Sequence, residues 1–499
     1  MSSFFAVAFL VFFAGVCLVY FVLPGAVRPF WLLVCSYLFY LYDPQNAGFV
    51  VLLAGASVLT WAAALLLERL RDGPVRRICL AAALVLCFGS LFYYKYFGFL
   101  GETLSNLLRA VGLRGFSAAP SLLAPVGISY FTFAAAGYVI DVYRGKHPAE
   151  KNLLYYALFV GFFPCIVTGP IERAPKLIPQ LKAPQAFDYN RVTGGLFRIL
   201  WGFFKKFVIA NTIGGVVDAV YGNLDYKGYT GPVLLLASLL YTYQLYCDFS
   251  AGCDVAIGAG TVFGFTLTEN FRQPLRAGSF IGLWRRWHIS LTSWFRDYLY
   301  IPLGGNRKGA LRQNLNQLFV FLVSGLWHGA SLSMAVWGLL NGAYLCIGKA
   351  TEEIRLRLAR KNPLYRFRPV KRVIQAVIVY LLFTSCIVFF RASEVFPGST
   401  GLSDALYLYA HLFTGWDKLF ASPASVGRLL ASIGLTWQTV AVLGFGVAVV
   451  ETLESVPDPV SRVIRKVPIV MRWPLYYAMC LAMLLFGSFA NSGSIYGRF

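Results

Sequence analysis

The sequence has few charged residues. Only 13% of its 499 residues are Asp, Glu, Lys or Arg, whereas a typical soluble domain has about 25%. Apolar runs long enough to cross a bilayer recur from one end to the other. The composition therefore excludes an ordinary soluble protein and predicts an all-α polytopic integral membrane protein with roughly 10–12 transmembrane helices. We interpret residues 1–499 as one transmembrane domain.

Acidic residues are the scarcer charges, with 22 Asp and Glu against 44 Lys and Arg and a net charge of +22. In a soluble protein this excess would suggest a nucleic-acid partner. Here the basic residues lie in short loops, where they set orientation and contact anionic lipid. We therefore expect membrane lipids, and no nucleic acid, as partners. The loops concerned are ERLRDGPVRR, KATEEIRLRLARKNPLYRFRPVKR and SRVIRKVPIVMR.

Cysteine pairs and histidine clusters are also missing. Nearly all of the ten cysteines lie singly inside apolar runs, and no C-x-x-C motif occurs. The four histidines, His147, His288, His328 and His411, are far apart in the chain. The pattern predicts reduced packing cysteines and no metal site.

The apolar runs predict spans near residues 4–23, 29–42, 47–67, 76–99, 122–143, 193–221, 232–250, 373–391, 433–450 and 473–490. No basic residue precedes the first run, so we interpret it as a retained span and not a cleaved signal peptide. Residues 153–171 contain Pro164 and the pair Gly169-Pro170, which interrupt helical hydrogen bonding. The charges of the flanking loops predict that this segment is re-entrant.

A polar segment, residues 251–316, follows the predicted span 232–250. It is too polar to cross the bilayer whole, so we expect short helices and loops that lie partly in the cytoplasmic interface. Residues 317–348 then predict two short apolar segments around SGLWHGAS, and the nearly neutral stretch 392–432 is expected outside.

His328 lies in an apolar segment between Gly325 and Gly329. An ionisable side chain at membrane depth is costly and usually faces a cavity, a partner or a pathway. One interpretation is a histidine hydrogen-bonded between helices. The other is a general base that accepts a proton from a hydroxyl near neutral pH.

His288 follows the run Trp284-Arg285-Arg286-Trp287 and precedes Ser290. An interfacial amphipathic helix would explain the arginines and tryptophans, because such helices contact lipid phosphates and headgroups. It does not explain the histidine, nor the following YIPLGGNRKG, where Gly304-Gly305 permits a tight turn that projects Arg307 and Lys308.

Other charges lie in apolar surroundings. For Asp248 and Asp254 we favour pairing with an arginine of the polar segment, and a proton relay is the alternative. Lys205 and Lys206 lie near the inner end of a span, from which their side chains are expected to snorkel.

Taken together, YTYQLYCDFSAGCDVAIGAGTVFGF, ENFRQPL, WRRWHISLTSWFRDYLYIPLGGNR and SGLWHGA resemble membrane-bound O-acyltransferases, the MBOAT family. The bacterial alginate O-acetyltransferase type is the most similar branch, and FFPCIVTGPIER, VFFRASE and the terminal IYGRF extend the likeness along the chain. The resemblance implies the MBOAT fold, with re-entrant and interfacial helices around a central cavity or tunnel. It makes residues 251–348 the signature catalytic region.

The resemblance also implies the chemistry: an acyl group moves from a cytoplasmic thioester toward a hydroxyl acceptor used outside the membrane. Acetyl-CoA or another acyl thioester is the co-substrate, and no cofactor is bound permanently. His328 and His288 are the implied catalytic residues. The residues implied to bind the donor or line the site are Arg285, Arg286, Trp287, Asp248, Arg296, Asn306, Arg307 and Trp327.

Two positions depart from close alginate-type relatives. Cys165 stands where they read FFPH, and Asn341 stands where they often have another histidine. Both differences weaken alginate itself as the expected acceptor.

We expect the arginines to hold an anionic donor such as the phosphates of CoA. His328 then acts as a general base or as a nucleophile that carries the acyl group. His288 orients the donor or stabilises the oxyanion. Family analogy adds a separate exported or membrane-anchored acyltransferase partner, a cell-surface polysaccharide and a bacterial cytoplasmic membrane location. Two alternatives are D-alanyl transfer from a carrier protein toward teichoic acid and a non-enzymatic polysaccharide transporter or flippase.

Overall fold

The structure is a computed structural model that describes residues 4–42, 48–116, 125–183, 185–224, 228–361, 367–393, 401–422, 424–455 and 467–489. Within these ranges every regular element is helical, and none is a strand. A helix satisfies its backbone hydrogen bonds internally, as a segment that crosses hydrocarbon must. The all-α prediction is confirmed. The terminal IYGRF motif lies outside the described residues.

The α-helices of the first half of the chain are Val7–Val22, Arg28–Leu41, Val50–Arg69, Pro74–Lys95, Phe97–Ala110, Ile128–Tyr143, Leu153–Gly161, Phe163–Ile166, Ala174–Lys182, Tyr189–Phe204, Asn211–Tyr221 and Gly231–Phe263. Those of the second half are Phe280–Trp284, Ile289–Phe295, Gly309–His328, Leu332–Ala350, Glu352–Lys361, Arg368–Arg391, Leu402–His411, Trp416–Phe420, Ser425–Ser432, Trp437–Glu454 and Ile469–Phe486. A 3₁₀ turn covers Pro274–Arg276, and π-helical segments cover Lys205–Ala210 and Arg296–Tyr300.

Several described helices are long and apolar enough to cross a membrane. They are Val50–Arg69, Pro74–Lys95, the continuous helix Tyr189–Tyr221, Arg368–Arg391 and Ile469–Phe486. The pair Ser425–Ser432 and Trp437–Glu454, bent by 81°, is either a sixth, broken span or a re-entrant loop. The expected ten to twelve exceeds this number because several predicted spans are short or broken helices. Val7–Val22 has 16 residues and Arg28–Leu41 has 14. The multi-pass character of the chain is nevertheless clear.

The chain divides into two compact units. The first comprises residues 1–199 and 252–269, and the second comprises residues 200–251 and 270–499. The interpretation of the chain as one domain stays a prediction.

The first unit contains the predicted interruption. Helix Leu153–Gly161 ends at Phe162, and Phe163–Ile166 forms one further turn with Pro164 at its start. A Cβ at Gly169 would lie 2.3 Å from the Pro164 carbonyl oxygen, so the chain folds back closely on itself here. The interruption is confirmed, while the return to the same side of the membrane stays a prediction.

The predicted boundary at residue 251 is wrong, because helix Gly231–Phe263 runs on without a break for 33 residues. Glycines in the continued part of this helix pack closely within the first unit. A Cβ at Gly258 would lie 2.7 Å from the Gly195 carbonyl oxygen, and one at Gly252 would lie 2.7 Å from Thr168 Oγ1. Residues 264–308 do form short helices and turns, as predicted.

The second unit contains two antiparallel helices, Gly309–His328 and Leu332–Ala350, which we call the histidine hairpin. It starts earlier than the predicted residue 317, because the polar residues before that position form an exposed first turn of helix. Glycines allow the two helices to touch. A Cβ at Gly325 would lie 2.2 Å from the Met334 carbonyl oxygen, and one at Gly338 would lie 2.3 Å from that of Phe321.

Candidate active site

His288 lies at a sharp turn of the backbone. It caps helix Ile289–Phe295 with φ 44° and ψ 53°, the left-handed region that non-glycine residues rarely adopt. Asn270 holds this turn: its carbonyl oxygen accepts the Ile289 N–H (3.0 Å), and its Oδ1 accepts the Ser290 N–H (3.0 Å). The ENF motif therefore fixes the conformation of the histidine.

The His288 side chain is 1% exposed and packs between aromatic rings. Its ring centroid lies 4.7 Å from that of Phe249 and 6.1 Å from that of Trp327. His288 lies outside the helices identified as spans. Burial lowers the pKa of the imidazole to about 3, because the charged form loses its solvation. The ring is therefore neutral at physiological pH.

His328 is the last residue of the first hairpin helix and is 2% exposed. Its ring contacts those of Trp337 at 5.1 Å and Phe390 at 5.7 Å. The His288 ring lies 6.3 Å away. The fold thus brings together the two histidines that the sequence singled out, in aromatic surroundings that exclude water.

A cavity of about 270 Å³ opens beside this pair. Cationic side chains of Arg285, Arg296 and Lys349 line it, together with the apolar walls of Trp284 and Phe321. Ser324 also lines it, one helical turn before His328. Neither histidine belongs to the lining. Trp284 of the lining connects the cavity with the aromatic side chains around His328, because its ring lies 6.0 Å from that of Trp337, which contacts His328.

The other predicted donor-binding residues fall into two groups. Arg286, Asn306 and Arg307 are exposed and do not line the cavity. Asn316 Nδ2 fixes the turn that carries Asn306 and Arg307 by donating to the carbonyl oxygens of Leu303 (3.3 Å) and Gly305 (3.1 Å).

Trp287 and Trp327 form the second group, and both are buried. Trp287 packs on Phe271 (5.1 Å) and Phe383 (5.0 Å), so it anchors the segment beneath His288. Trp327 lies against both histidines.

Asp248 is buried and forms an ion pair with Lys206 within the second unit. Asp254 pairs with Arg198 within the first unit, at 2.9 Å from Nε to Oδ1. Both of these partners lie outside the polar segment, whose arginines were the expected partners. A buried carboxylate pairs with a cation that the fold places next to it, and the distance between the two residues in the sequence does not predict which cation this is.

The snorkelling interpretation of the two lysines is wrong. Lys205 and Lys206 are 1% and 2% exposed. The Lys205 ammonium donates to Ser250 Oγ (2.8 Å) and Glu454 Oε1 (2.9 Å). Both lysines lie on the π-helical segment, whose wider turn directs two consecutive side chains inward.

Within the described part of the chain, no three His, Cys, Asp or Glu side chains cluster as a metal ion would require. The expected absence of a metal site stays a prediction.

Sequence reasoning missed two residues beside the pair. Trp337 touches His328, and Trp284 lines the cavity with its ring 6.0 Å from that of Trp337. Trp337 has the pattern of an ordinary core residue. For Trp284 the sequence contains one indication of a place near the site, because this residue lies four positions before His288.

Residues 145–393 match the family model described as MBOAT, membrane-bound O-acyltransferase family. The matched range contains both histidines, the residues that line the cavity and the buried Asp248–Lys206 pair.

Similar proteins have related names. A probable alginate O-acetylase AlgI of Pseudomonas putida is 35% identical over 449 residues, which cover 89% of this chain and 86% of that protein. A peptidoglycan O-acetyltransferase of Helicobacter pylori is 31% identical over 75% of this chain and 74% of its own length. A teichoic acid D-alanyltransferase of Bacillus subtilis is 27% identical over 45% of this chain and 59% of its own length.

Proposed function

Because this chain belongs to the membrane-bound O-acyltransferase family and is an O-acyltransferase, we propose that it moves acetyl groups from a cytoplasmic thioester for O-acetylation of an exported or cell-surface polysaccharide. Two of the similar proteins are named for O-acetylation of alginate and of peptidoglycan, which are both glycans. The resemblance implies a histidine in alginate-type relatives at the position of Cys165 and often at that of Asn341, and both differences weaken alginate itself as the proposed acceptor.

The observation that carries the proposal is the pair of buried imidazoles, with ring centroids 6.3 Å apart. The family match gives them a reaction, since transfer from a thioester to a hydroxyl needs a proton acceptor and a donor to the oxyanion. The aromatic side chains around the two histidines lower the effective dielectric constant. This strengthens the hydrogen bond to the proton acceptor and the hydrogen bond to the oxyanion.

In the reaction that we propose, the acceptor hydroxyl gives its proton to His328 as its oxygen attacks the thioester carbonyl carbon. The tetrahedral intermediate collapses, the C–S bond breaks, and His328 returns the proton to the thiolate. The products are an O-ester and a free thiol. His288, which is neutral at physiological pH, orients the thioester or donates a hydrogen bond to the oxyanion.

A covalent variant has His328 carry the acetyl group before the acceptor arrives. Mass spectrometry of protein quenched after incubation with the donor alone distinguishes the two mechanisms. An acetylated His328 supports the covalent variant, and unmodified protein supports the general base.

The cavity suits an anionic thioester donor. Arg285, Arg296 and Lys349 supply positive charge for phosphate, and the apolar walls suit the arm that carries the thioester. Acetyl-CoA is the donor that we propose, as a co-substrate and not a resident cofactor. A D-alanyl carrier protein is the second candidate, because of the similarity to a teichoic acid D-alanyltransferase.

The test uses membranes with matched amounts of wild-type, His328→Ala, His288→Ala and His411→Ala protein. His411 is a control outside the site, with its Nδ1 2.8 Å from the Tyr407 carbonyl oxygen. Radiolabelled acetyl-CoA and D-alanyl carrier protein are supplied separately. We expect transfer from acetyl-CoA by the wild type and His411→Ala, near-complete loss in His328→Ala, and a smaller loss in His288→Ala.

Each other outcome of this test has a clear meaning. Transfer from the D-alanyl carrier protein and not from acetyl-CoA would identify the carrier protein as the donor. Wild-type protein that uses neither donor would overturn the proposal and favour a polysaccharide transporter or flippase. Full activity of His328→Ala would overturn the role of His328 as general base or nucleophile.

The acetyl group needs a final recipient. We propose a separate exported or membrane-anchored acyltransferase that completes transfer to the polysaccharide, with this chain as a multi-pass protein of the bacterial cytoplasmic membrane. Deletion of the gene should lower the O-acetyl content of a surface glycan by mass analysis. An unchanged content of every exported glycan would refute this role.

A further inference from the structure

Two buried indole groups near His328 have no hydrogen-bond acceptor. Trp284 and Trp337 are 6% and 2% exposed, and among the described residues neither Nε1 atom has a partner. Buried polar groups are nearly always hydrogen-bonded, and an exception indicates a missing ligand or water. The two side chains are neighbours, with ring centroids 6.0 Å apart.

The positions of the two indoles connect the cavity with the histidine. Trp284 lines the cavity, together with Arg285 and Ser324. Trp337 contacts the His328 ring at 5.1 Å, nearly perpendicular to it. A ligand that extends from the cavity toward His328 would therefore pass both indoles.

The chemistry of the indole group limits what the partner is. An indole N–H donates one hydrogen bond and accepts none, so two of them require an oxygen that accepts. A carbonyl oxygen has two lone pairs, and a tetrahedral oxyanion has greater negative charge. A hydroxyl proton would find no acceptor on either ring.

We propose that Trp284 and Trp337 donate hydrogen bonds to the carbonyl oxygen of the acyl thioester and hold the oxyanion that forms on it. This inference rests on the proposed function. The acceptor oxygen forms its bond to the carbonyl carbon, the C=O electron pair moves to the oxygen between the indoles, and it returns as the C–S bond breaks. His328 carries the proton from the hydroxyl to the thiolate. His288 orients the thioester or donates a further hydrogen bond to the oxyanion.

Both rings are held rigidly, as preorganised donors must be. Trp284 packs edge-on against Phe321 at 4.9 Å, and Trp337 packs against Phe390 at 5.5 Å. The Asn341 Nδ2 atom donates to the Trp337 carbonyl oxygen at 2.7 Å, one turn along the same helix. The indoles therefore need little reorganisation when charge develops.

The test replaces each indole by a phenyl ring, which removes the N–H and keeps an aromatic side chain. We expect Trp337→Phe and Trp284→Phe to lower kcat on the order of 10²-fold, because one oxyanion donor is lost, while KM changes by less than about threefold. The matched control is Trp61→Phe in the first unit, whose indole N–H donates to the Glu150 carbonyl oxygen at 2.8 Å. This control should retain wild-type kcat.

A second measurement does not depend on turnover. A ketone analogue of acetyl-CoA, with CH₂ in place of sulfur and a ¹³C-labelled carbonyl, is bound to wild-type and variant protein. Hydrogen bonds from the indoles lower the carbonyl stretching frequency in infrared difference spectra. We expect Trp337→Phe and Trp284→Phe to raise this frequency toward its value in an apolar solvent, and Trp61→Phe to leave it unchanged.

The outcomes distinguish this inference from the proposed function. Active wild-type protein, together with indole variants of unchanged kcat and unchanged carbonyl frequency, would overturn the inference alone. Equal kcat losses in Trp61→Phe and Trp337→Phe would also overturn it, since the effect would then be structural. Wild-type protein that transfers no acyl group from either thioester would overturn both.

Discussion

At the scale of single residues, the left-handed backbone of His288 depends on Asn270. Asn270→Ala removes the Oδ1 acceptor of the buried Ser290 N–H. We expect this variant to lose about 1–3 kcal/mol of unfolding free energy, the cost of an unsatisfied buried donor. Because His288 would lose its fixed orientation, acyl transfer should also fall. Thermal unfolding in detergent and a transfer assay measure the two effects.

Asn270→Asp is the matched control for this prediction, because it keeps a side-chain oxygen at the same position. It should retain more stability and more activity than the alanine variant. If Asn270→Ala equals the wild type in both measurements, Asn270 does not hold the turn.

The low pKa of His288 has a consequence for stability. In the folded protein burial lowers the pKa from 6.5 to about 3, so between these values the unfolded chain binds one proton more than the native chain. Stability from this residue is therefore present above pH 6.5 and is lost as the pH falls, by up to about 1.4 kcal/mol per pH unit.

His288→Gln cannot bind this proton, so we expect its stability to fall less steeply with acidification. Between pH 7 and pH 5 the wild type should lose roughly 2 kcal/mol more than the variant. Chemical unfolding of both proteins at the two pH values measures the difference. Parallel pH profiles would show that His288 titrates normally in the fold.

At the scale of elements, the histidine hairpin depends on close contact between its two helices. Gly338→Ala would place a methyl group 2.3 Å from the Phe321 carbonyl oxygen, so the helices must separate. We expect a loss of about 1–3 kcal/mol of stability, as for other overpacked positions. Because His328 ends one of these helices, activity should decrease with it.

Gly348→Ala is a control on the same helix, since its methyl group would have no neighbour within 4 Å. This variant should gain about 0.5–1 kcal/mol, because alanine favours a helix interior over glycine. Thermal unfolding of both variants, together with the transfer assay, gives the comparison. Equal stabilities for the two variants would contradict the close contact.

Local pattern predicted the helices well and their limits less well. The interruption at Pro164 follows from backbone chemistry, and the sequence indicated it correctly. The break proposed at residue 251 was wrong, because polarity averaged over residues 251–316 does not show where a helix ends. Helix Gly231–Phe263 continues beyond that position, and Gly252 and Gly258 pack closely in tertiary contacts that the local pattern does not show.

The candidate site was predicted in part for the same reason. Each histidine stood out alone, but their ring contact at 6.3 Å depends on the path of the chain between them. The Lys206 partner of Asp248 lies 42 residues earlier in the chain, and no local signal connects the two. Trp337 was missed because an apolar helix often contains a tryptophan.

At the scale of the whole molecule, the chain exposes many large apolar side chains that only lipid would cover. Helix Ile469–Phe486 is an extreme case, with only 6% of its residues buried, and Val470, Leu484 and Leu485 lie largely exposed on it. A soluble protein rarely leaves so large an apolar surface in water. This helix therefore provides a direct test of how the molecule sits in the bilayer.

Of the ten cysteines, only Cys480 is exposed, and it lies on this helix. A charged maleimide reacts with thiolates in water, and neither the reagent nor the thiolate is stable in hydrocarbon. In open membrane fragments, which give the reagent access to both faces, we therefore expect little labelling of Cys480 by mass spectrometry, and full labelling after detergent unfolding. Arg307→Cys, at an exposed turn, should label rapidly before unfolding. If Cys480 labels in these membrane fragments as fast as this control, helix Ile469–Phe486 lies in water and the spans assigned by apolar length need revision.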